Sequence, residues 1–466
     1  MSIRNGTASI GASRHGIWVV PLLVIGFGML IARFVTTVPG YFLIAGSIAI
    51  LLGLILVRHL QFALIGYMFL AALAFGESPA VQSPNSGYKA GMMPSEVLLA
   101  FLLMLWIGRV IFVDGFKPVK SHLNRPLVAL GLVSVVSLVF SNTLIGLKKL
   151  PFHQLAITQF AEIGLLCLSI CAYFFTANVL KNDKWIGRIF APVVLLAVYF
   201  SGHRIIGYDL PIPMIWGSLI LAMGIAFIYS RLLFGKLSRP QKIWFGFLLP
   251  VLAYAAYSDA AWISGWVAVT GVILIVTWFR SKGLAVLLLA LMLFALFVYP
   301  GVYHSIHEES ELGGDFDRFV IWVDASRMFM NVNPILGVGP GNYQPYVLLH
   351  NTIWFGSQTY TTAHSNYVQM AAELGLMGLA VFFWVIVGGI MTGLTAVRRA
   401  PPELRWLAIA ATAIFASMAV TSMFGDYMFP SRGNNGLVNF GTTVYLWLIM
   451  GAAAAAANLR QPAEDG

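Results

Sequence analysis

Apolar residues run through this chain in long, nearly unbroken blocks. An α-helix needs about 20 such residues to cross the hydrocarbon of a bilayer. Fourteen blocks approach that length, at roughly 17–36, 39–57, 60–76, 95–113, 126–141, 155–179, 189–201, 212–230, 243–257, 260–279, 284–301, 374–396, 406–424 and 437–457. The blocks at 189–201 and 243–257 are short, which predicts tilted or partly re-entrant helices. The pattern therefore predicts an all-α polytopic membrane protein with twelve to fourteen transmembrane helices. The first block, Ile17 to Val35, is long enough to span and is followed by many more, so it reads as a signal-anchor that stays.

Composition agrees with this reading. Of 466 residues, 59% are hydrophobic and 10% charged, against about 25% charged in a soluble domain. Mean hydropathy is +0.83. These values exclude a large soluble enzyme. The net charge of +10, from 28 Lys and Arg against 18 Asp and Glu, taken alone would suggest a nucleic-acid partner. Its distribution removes that reading. With the N-terminus placed in the cytoplasm, 19 of the 28 basic residues fall in inner segments and 7 in outer ones, and Arg33 and Arg109 lie within spans. Acids run the other way, with 5 inside, 12 outside and Glu162 within a span. The inner side thus carries +14 and the outer side −5. This is the positive-inside bias of a multi-pass membrane protein, and it predicts both termini in the cytoplasm and no nucleic-acid partner. Cys167 and Cys171 are spaced i, i+4 inside an apolar block, with no further Cys to complete a metal site, and read as packing residues.

Inner loops are short. One outer loop, roughly 302–373, is far longer, and loops beyond about 15 residues are usually functional. The chain divides into transmembrane helices 1–11 at 1–301, the long outer loop at 302–373, and C-terminal transmembrane helices at 374–466. Four pieces of the loop stand out. Glu308, Glu309, Glu311, Asp315 and Asp317 surround a Gly313-Gly314 turn, with a spacing that fits no EF-hand and reads as a solvated acidic turn. Asp315 to Asn331 reads as a helix ended by Asn333-Pro334. It puts Arg318, Trp322 and Ala325 on one face, where an arginine fork suits phosphate and an indole suits a sugar ring. An ion pair beside an interfacial Trp is the plainer reading of the same residues. Gly337-Val338-Gly339-Pro340-Gly341-Asn342-Tyr343 is either a tight turn or an anion nest lacking the Pro340 donor. In the fourth piece, Ser365 is placed to cap a helix that Gly375 breaks before the next span. His364 then sits at a helix N-terminus, which favours the neutral imidazole that accepts a proton, although an isolated surface His reads equally as having no role.

In combination these pieces resemble the O-antigen ligase/O-antigen polymerase superfamily of bacterial membrane glycosyltransferases. The likeness lies in the order Arg318…Ile321-Trp322, then Asn333-Pro334-Ile335-Leu336-Gly337-Val338-Gly339-Pro340-Gly341-Asn342-Tyr343, then Ala363-His364-Ser365-Asn366-Tyr367…Glu373-Leu374-Gly375-Leu376-Met377-Gly378. The resemblance implies a GT-C-like enzyme that takes a glycan from a polyprenyl-pyrophosphate carrier on the periplasmic face of the inner membrane. A ligase passes it to a lipid A–core sugar, and a polymerase to another lipid-linked repeat unit. Neither nucleotide, metal nor cofactor is implied, and membrane lipids are the surroundings. In this reading His364 is the base, Arg318 binds pyrophosphate and Arg204, in Ser201-Gly202-His203-Arg204, is a second clamp. Trp322, Gly339, Gly341, Asn342, Tyr343, Asn366, Asp259 and Arg432 are the expected substrate-binding residues.

One departure stands out. Where family members often carry Ser-Arg-Gly before a Trp at the outer start of a span, this chain has Ser258-Asp259-Ala260-Ala261-Trp262. An acid does not bind phosphate directly, but it can orient Arg204 or Arg318, bind a cation or act as a base. A polymerase, a divergent transferase and an inactive relative all stay open, as do a transporter of lipid-linked glycans and a non-catalytic envelope scaffold.

Overall fold

The computed structural model describes residues 53, 55–71, 94–115, 117–144, 152–206, 217–259, 263–298, 314–350, 362–431 and 436–459. Among them the chain is helical throughout, with no strand. In order the helices are α1 (Leu60–Leu70), α2 (Pro94–Arg109, continued by a π-turn at Val110–Asp114), α3 (Asn124–Leu144), α4 (Phe152–Val179), α5 (Asp183–Arg188), α6 (Phe190–Ile206) and α7 (Gly217–Phe234). They continue as α8 (Arg239–Asp259), α9 (Ile263–Arg280), α10 (Lys282–Val298), α11 (Gly314–Val332), α12 (Tyr343–His350), α13 (Asn366–Arg399), α14 (Arg405–Thr421) and α15 (Gly436–Ala457). Eight of the described helical stretches are long and apolar enough to cross a membrane. Three shorter apolar helices, at Leu60–Leu70, Gly265–Arg280 and Lys282–Phe294, accompany them.

The protein is therefore an all-α polytopic membrane protein, as the hydropathy blocks predict. The blocks at 17–36 and 39–57 lie almost wholly outside the described residues. The short block at 189–201 is one part of a 24-residue helical stretch, Asp183–Ile206. The other short block, 243–257, lies inside α8, which begins among Arg239, Gln241 and Lys242 and carries Pro250 in its interior.

Lipid explains the distribution of side chains. Ile243, Trp244 and Phe247 of α8, Leu287, Leu291 and Phe294 of α10, and Leu132, Val136 and Val139 of α3 are all exposed. In water such continuous apolar faces would aggregate, and in hydrocarbon they are the proper surface. The interior packs large side chains such as Trp447, Tyr173, Phe227 and Phe415, and small residues where helices approach closely. α15 packs along α4, and its alanine run Ala452–Ala456 is buried. A side chain at Gly451 would lie 2.6 Å from the Tyr173 carbonyl, so the two backbones touch there. α14 is buried among α7, α9 and α13. Many buried hydroxyls donate to backbone carbonyls, either one turn back, as Thr412 Oγ1 does to Ala408 (2.7 Å), or across helices, as Ser417 Oγ does to Ala268 (2.7 Å). α11, α12 and the first turns of α13 form a separate unit on this bundle, with α11 packed against α13.

Candidate active site

The unit begins where α11 stops. Pro334 cannot continue the helix, and Asn333 Oδ1 accepts the backbone N–H groups of Ile335 and Leu336, both at 3.0 Å. The chain then passes Gly337, Gly339 and Gly341, with φ of +67°, +94° and +73°. Three left-handed residues in five explain the glycine spacing without a bound anion.

The turn is seated on a break in α13. Gly375 has φ +68° and ψ −166°, so this helix is two helices joined at a kink. In an unbroken helix the N–H groups of Leu376 and Met377 would bond the carbonyls of Ala372 and Glu373. Here those carbonyls accept from Val338 (2.9 Å) and Gly339 (2.8 Å), while Leu376 and Met377 donate to Pro334 (2.9 Å) and Ile335 (3.2 Å). Two helical bonds are thus exchanged for four that join the loop to the helix. Ser137 of α3 adds its hydroxyl, donating to the Leu336 carbonyl at 2.6 Å and lying 3.0 Å from that of Glu373.

Asn342 is fully buried, and its side chain serves this turn. Its Nδ2 donates to the Val338 carbonyl (2.8 Å), and its Oδ1 accepts from Gln159 Nε2 of α4 (2.9 Å). Tyr343 N–H reaches the buried Glu373 carboxylate at 3.3 Å. Burial first, and then the charges of Asp324, Glu373 and Asp426, push the Tyr343 phenol above its usual range. The phenol is therefore kept protonated, as a donor.

His364 sits on the same unit. Trp322 Nε1–H donates to the Ala363 carbonyl at 2.9 Å, joining α11 to the residue before His364. Ala363 N–H donates to Gln369 Oε1 (3.0 Å), and His364 N–H to Thr362 Oγ1 (2.9 Å). His364 has φ +47°, a left-handed conformation that no other non-glycine among the described residues adopts. Ser365 caps α13 by accepting from Val368 N–H at 3.4 Å, as the sequence predicts. The surrounding apolar cluster includes Ile321, Ala325, Val338, Tyr343, Val347, Ala363 and Ala372, with Trp322 packed on its edge.

Asn366 ties this site to the end of α14. Its Oδ1 accepts from Met428 (2.9 Å) and Phe429 (3.3 Å), and its Nδ2 donates to the Phe429 carbonyl (2.7 Å). The clamped segment 422–431 is held from the other side by α15, where Trp447 Nε1–H donates to Met428 and its ring stacks on Phe429 at 4.7 Å. Asn366→Ala would leave two buried N–H groups and a carbonyl without their partner. It is expected to destabilise the protein by about 2–4 kcal/mol. Thermal unfolding in detergent, with proteolysis mapped within 422–431, measures this.

The structure brings Trp322, Gly339, Gly341, Asn342, Tyr343, His364 and Asn366 into one unit. Arg318 lies on α11 one turn before Trp322, and its side chain falls outside the described residues. So does the side chain of Asp259, the last residue of α8. Arg432 and Glu308, Glu309 and Glu311 of the acidic run are outside them altogether, whereas Asp315 and Asp317 fall in the first turn of α11, with side chains outside the described residues. Arg204 lies at the exposed end of α6, its guanidinium 5.5 Å over the Phe200 ring. α6 packs on α7, α8 and α1. Glu373 and the buried Asp426 join the site unanticipated. The signal for Glu373 was an acid set among apolar helix residues, which is costly and usually functional or structural.

Fold and site together define a polytopic helical membrane protein whose polar loop residues are gathered in one packed unit. Residues 244–383 match the family model described as O-antigen ligase. The matched segment runs from α8 to the middle of α13 and contains Trp322, the glycine turn and His364. The match supports the resemblance to the O-antigen ligase and polymerase superfamily of glycosyltransferase-like membrane proteins. A comparison with curated proteins gives no match.

Proposed function

We propose that this protein is a glycosyltransferase of the inner membrane that moves a glycan from a polyprenyl-pyrophosphate carrier to a sugar hydroxyl on the periplasmic face. The observation that carries the reading is His364, held in a left-handed conformation at the head of α13 beside the Trp322–Ala363 bond. Strained residues of this kind persist where the surroundings over-determine them, and they cluster at functional sites. Helices of 1–301 and 374–466 form the lipid-embedded scaffold, and 302–373 is the periplasmic catalytic loop.

His364 takes the proton from the acceptor hydroxyl. The hydroxyl oxygen bonds the anomeric carbon of the donor as the bond from that carbon to the pyrophosphate oxygen breaks. Negative charge grows on the leaving pyrophosphate, where Arg318 stabilises it, with Arg204 or Arg432 as a second clamp. Trp322, at the edge of the apolar cluster, binds the sugar, and Asp259 orients an arginine. The acceptor is a second lipid-linked glycan or a lipid A–core sugar. The pyrophosphate is already a good leaving group, so neither a nucleotide nor a metal enters the scheme.

Purified protein supplied with a polyprenyl-pyrophosphate oligosaccharide is expected to release polyprenyl pyrophosphate and to lengthen or transfer the glycan. Counterflow of the lipid-linked glycan in liposomes without transfer would replace this reading with transport. In a deletion strain, unpolymerised single units point to a polymerase and long unattached chains to a ligase. Arg318→Lys keeps the charge but loses the fork, so kcat/KM is expected to fall about 10- to 100-fold. Normal turnover by that variant would exclude bidentate pyrophosphate binding.

A further inference from the structure

A cavity lies at the basic ends of the helices, opposite the loop unit, where the charge bias of the sequence puts the cytoplasm. Its volume is about 240 Å³, and it sits between the start of α1, the π-turn that ends α2, the end of α4, and α5. Arg58, His59, Arg109, Lys181, Trp106 and Trp185 line it, with Asp114 as the one acid among the described residues. Arg109 and Lys181 both reach Asp114 Oδ2, at 3.0 and 3.9 Å. Three fixed positive charges against one negative leave the cavity net cationic.

The cavity is built rather than accidental. Arg109 Nη1 donates to the Val57 carbonyl (3.0 Å), and Gln61 Nε2 to the Val179 carbonyl (2.8 Å), so α1, α2 and α4 are tied around it. The π-turn at Val110–Asp114 brings Asp114 back onto Arg109, and π-turns often mark functional positions. Arg58, His59 and Lys181 are exposed at its mouth, whereas Trp106 is buried in its wall. Directly beside it the surface turns apolar, with Phe62 63%, Ile111 66% and Val113 66% exposed. A cationic mouth flanked by tryptophans, on an apolar face, matches a molecule with a phosphate at one end and acyl chains at the other.

We propose that this cavity binds the phosphate of an anionic phospholipid head group, with the acyl chains lying along Phe62, Ile111 and Val113. The shared chemistry is phosphate recognition, and the apolar face assigns its source to lipid rather than to a soluble anion. The site is independent of the reading of the loop unit, because its residues lie at the other end of the helices. Asp114 is neutralised chiefly by Arg109 at 3.0 Å, which leaves Arg58 and the more distant Lys181 to select the anion.

The test is displacement of fluorescent phosphatidylglycerol from the full-length protein in neutral detergent micelles. Each Lys or Arg near an anionic surface is worth about fivefold in binding. The variant carrying Arg58→Gln and Lys181→Gln is therefore expected to bind about 25-fold more weakly. The pair Arg58→Lys and Lys181→Arg should retain binding, and a photo-reactive acyl chain should label the segment 107–113. Unchanged affinity in the glutamine variant, equal competition by phosphatidylcholine, or labelling confined to other helices would each overturn the proposal. Competition by inorganic phosphate at the same concentration as phosphatidylglycerol would overturn the assignment to lipid. Both substituted residues are exposed, and the charge-conserving pair separates loss of charge from loss of fold.

Discussion

Replacing His364 with alanine is expected to stop glycan transfer while leaving the protein folded. A positioned general base contributes about 10²- to 10⁴-fold to proton transfer, so transfer should fall by that factor at saturating donor. The backbone around His364 is held by groups other than its imidazole. Its N–H goes to Thr362 Oγ1, the preceding carbonyl takes the Trp322 indole, and the following serine caps α13. The imidazole is half-exposed and stands outside the buried apolar cluster. Alanine at φ +47° pays a left-handed penalty of about 1–2 kcal/mol, which histidine largely pays already. His364→Gly makes a second arm, because glycine relieves that strain. It should be as inactive as the alanine variant yet unfold at the same temperature or higher. Release of polyprenyl pyrophosphate and thermal unfolding, read on the same samples, separate the two effects. Wild-type turnover in both variants would remove His364 from the chemistry.

What the sequence shows clearly is what solvent and local backbone dictate. Lipid demands about 20 apolar residues per span, so the helices from α2 to α15 lie within a few residues of the hydropathy blocks, apart from the short α5 and the three elements of the loop unit. Pro334 ends α11, Ser365 caps α13 and Gly375 breaks it, each by a short-range rule that needs no knowledge of the fold. The start of α13 is the instructive case. The hydropathy block begins at 374, but the helix begins at Asn366, because its first turns belong to the loop unit and carry Asn366, Gln369 and Glu373. Hydropathy reports the average solvent of a window and does not see polar residues whose partners are protein. Asn342 and Asn366 are legible as polar loop residues. That one bonds Gln159 and the other Met428 and Phe429 depends on contacts across 183 and 62 or more residues, which leave no local trace. Whether an outer residue such as Arg204 adjoins the loop unit is a property of helix packing, which leaves no local trace in the sequence.

Gly375→Ala is expected to dismantle the loop unit while leaving the membrane helices in place. The conformation at Gly375, φ +68° with ψ −166°, is one that only glycine adopts readily, at a cost of about 1–3 kcal/mol for any other residue. The steric conflict is added to this. A Cβ there would collide with the carbonyl of Ile335 and come within 2.6 Å of Leu336 N. These are backbone atoms of the segment that the kink exists to receive, so no side-chain rotation relieves the clash. Alanine favours a continuous helix instead, with Leu376 and Met377 bonding Ala372 and Glu373 in the ordinary way. That helix would withdraw all four partners from 334–339, releasing the glycine turn and with it the Tyr343–Glu373 bond. The unit should lose on the order of 4 kcal/mol, and His364 should lose its setting although it is 11 residues away. Transfer is expected to vanish, proteolysis to open within 333–350, and membrane insertion to continue. Gly246→Ala is the matched control: that glycine lies inside α8 with nothing within 4 Å of its added Cβ, and the substitution should be neutral in both assays. A Gly375→Ala protein with normal transfer and protease resistance would show that the exchange of backbone bonds at the kink does not hold the site.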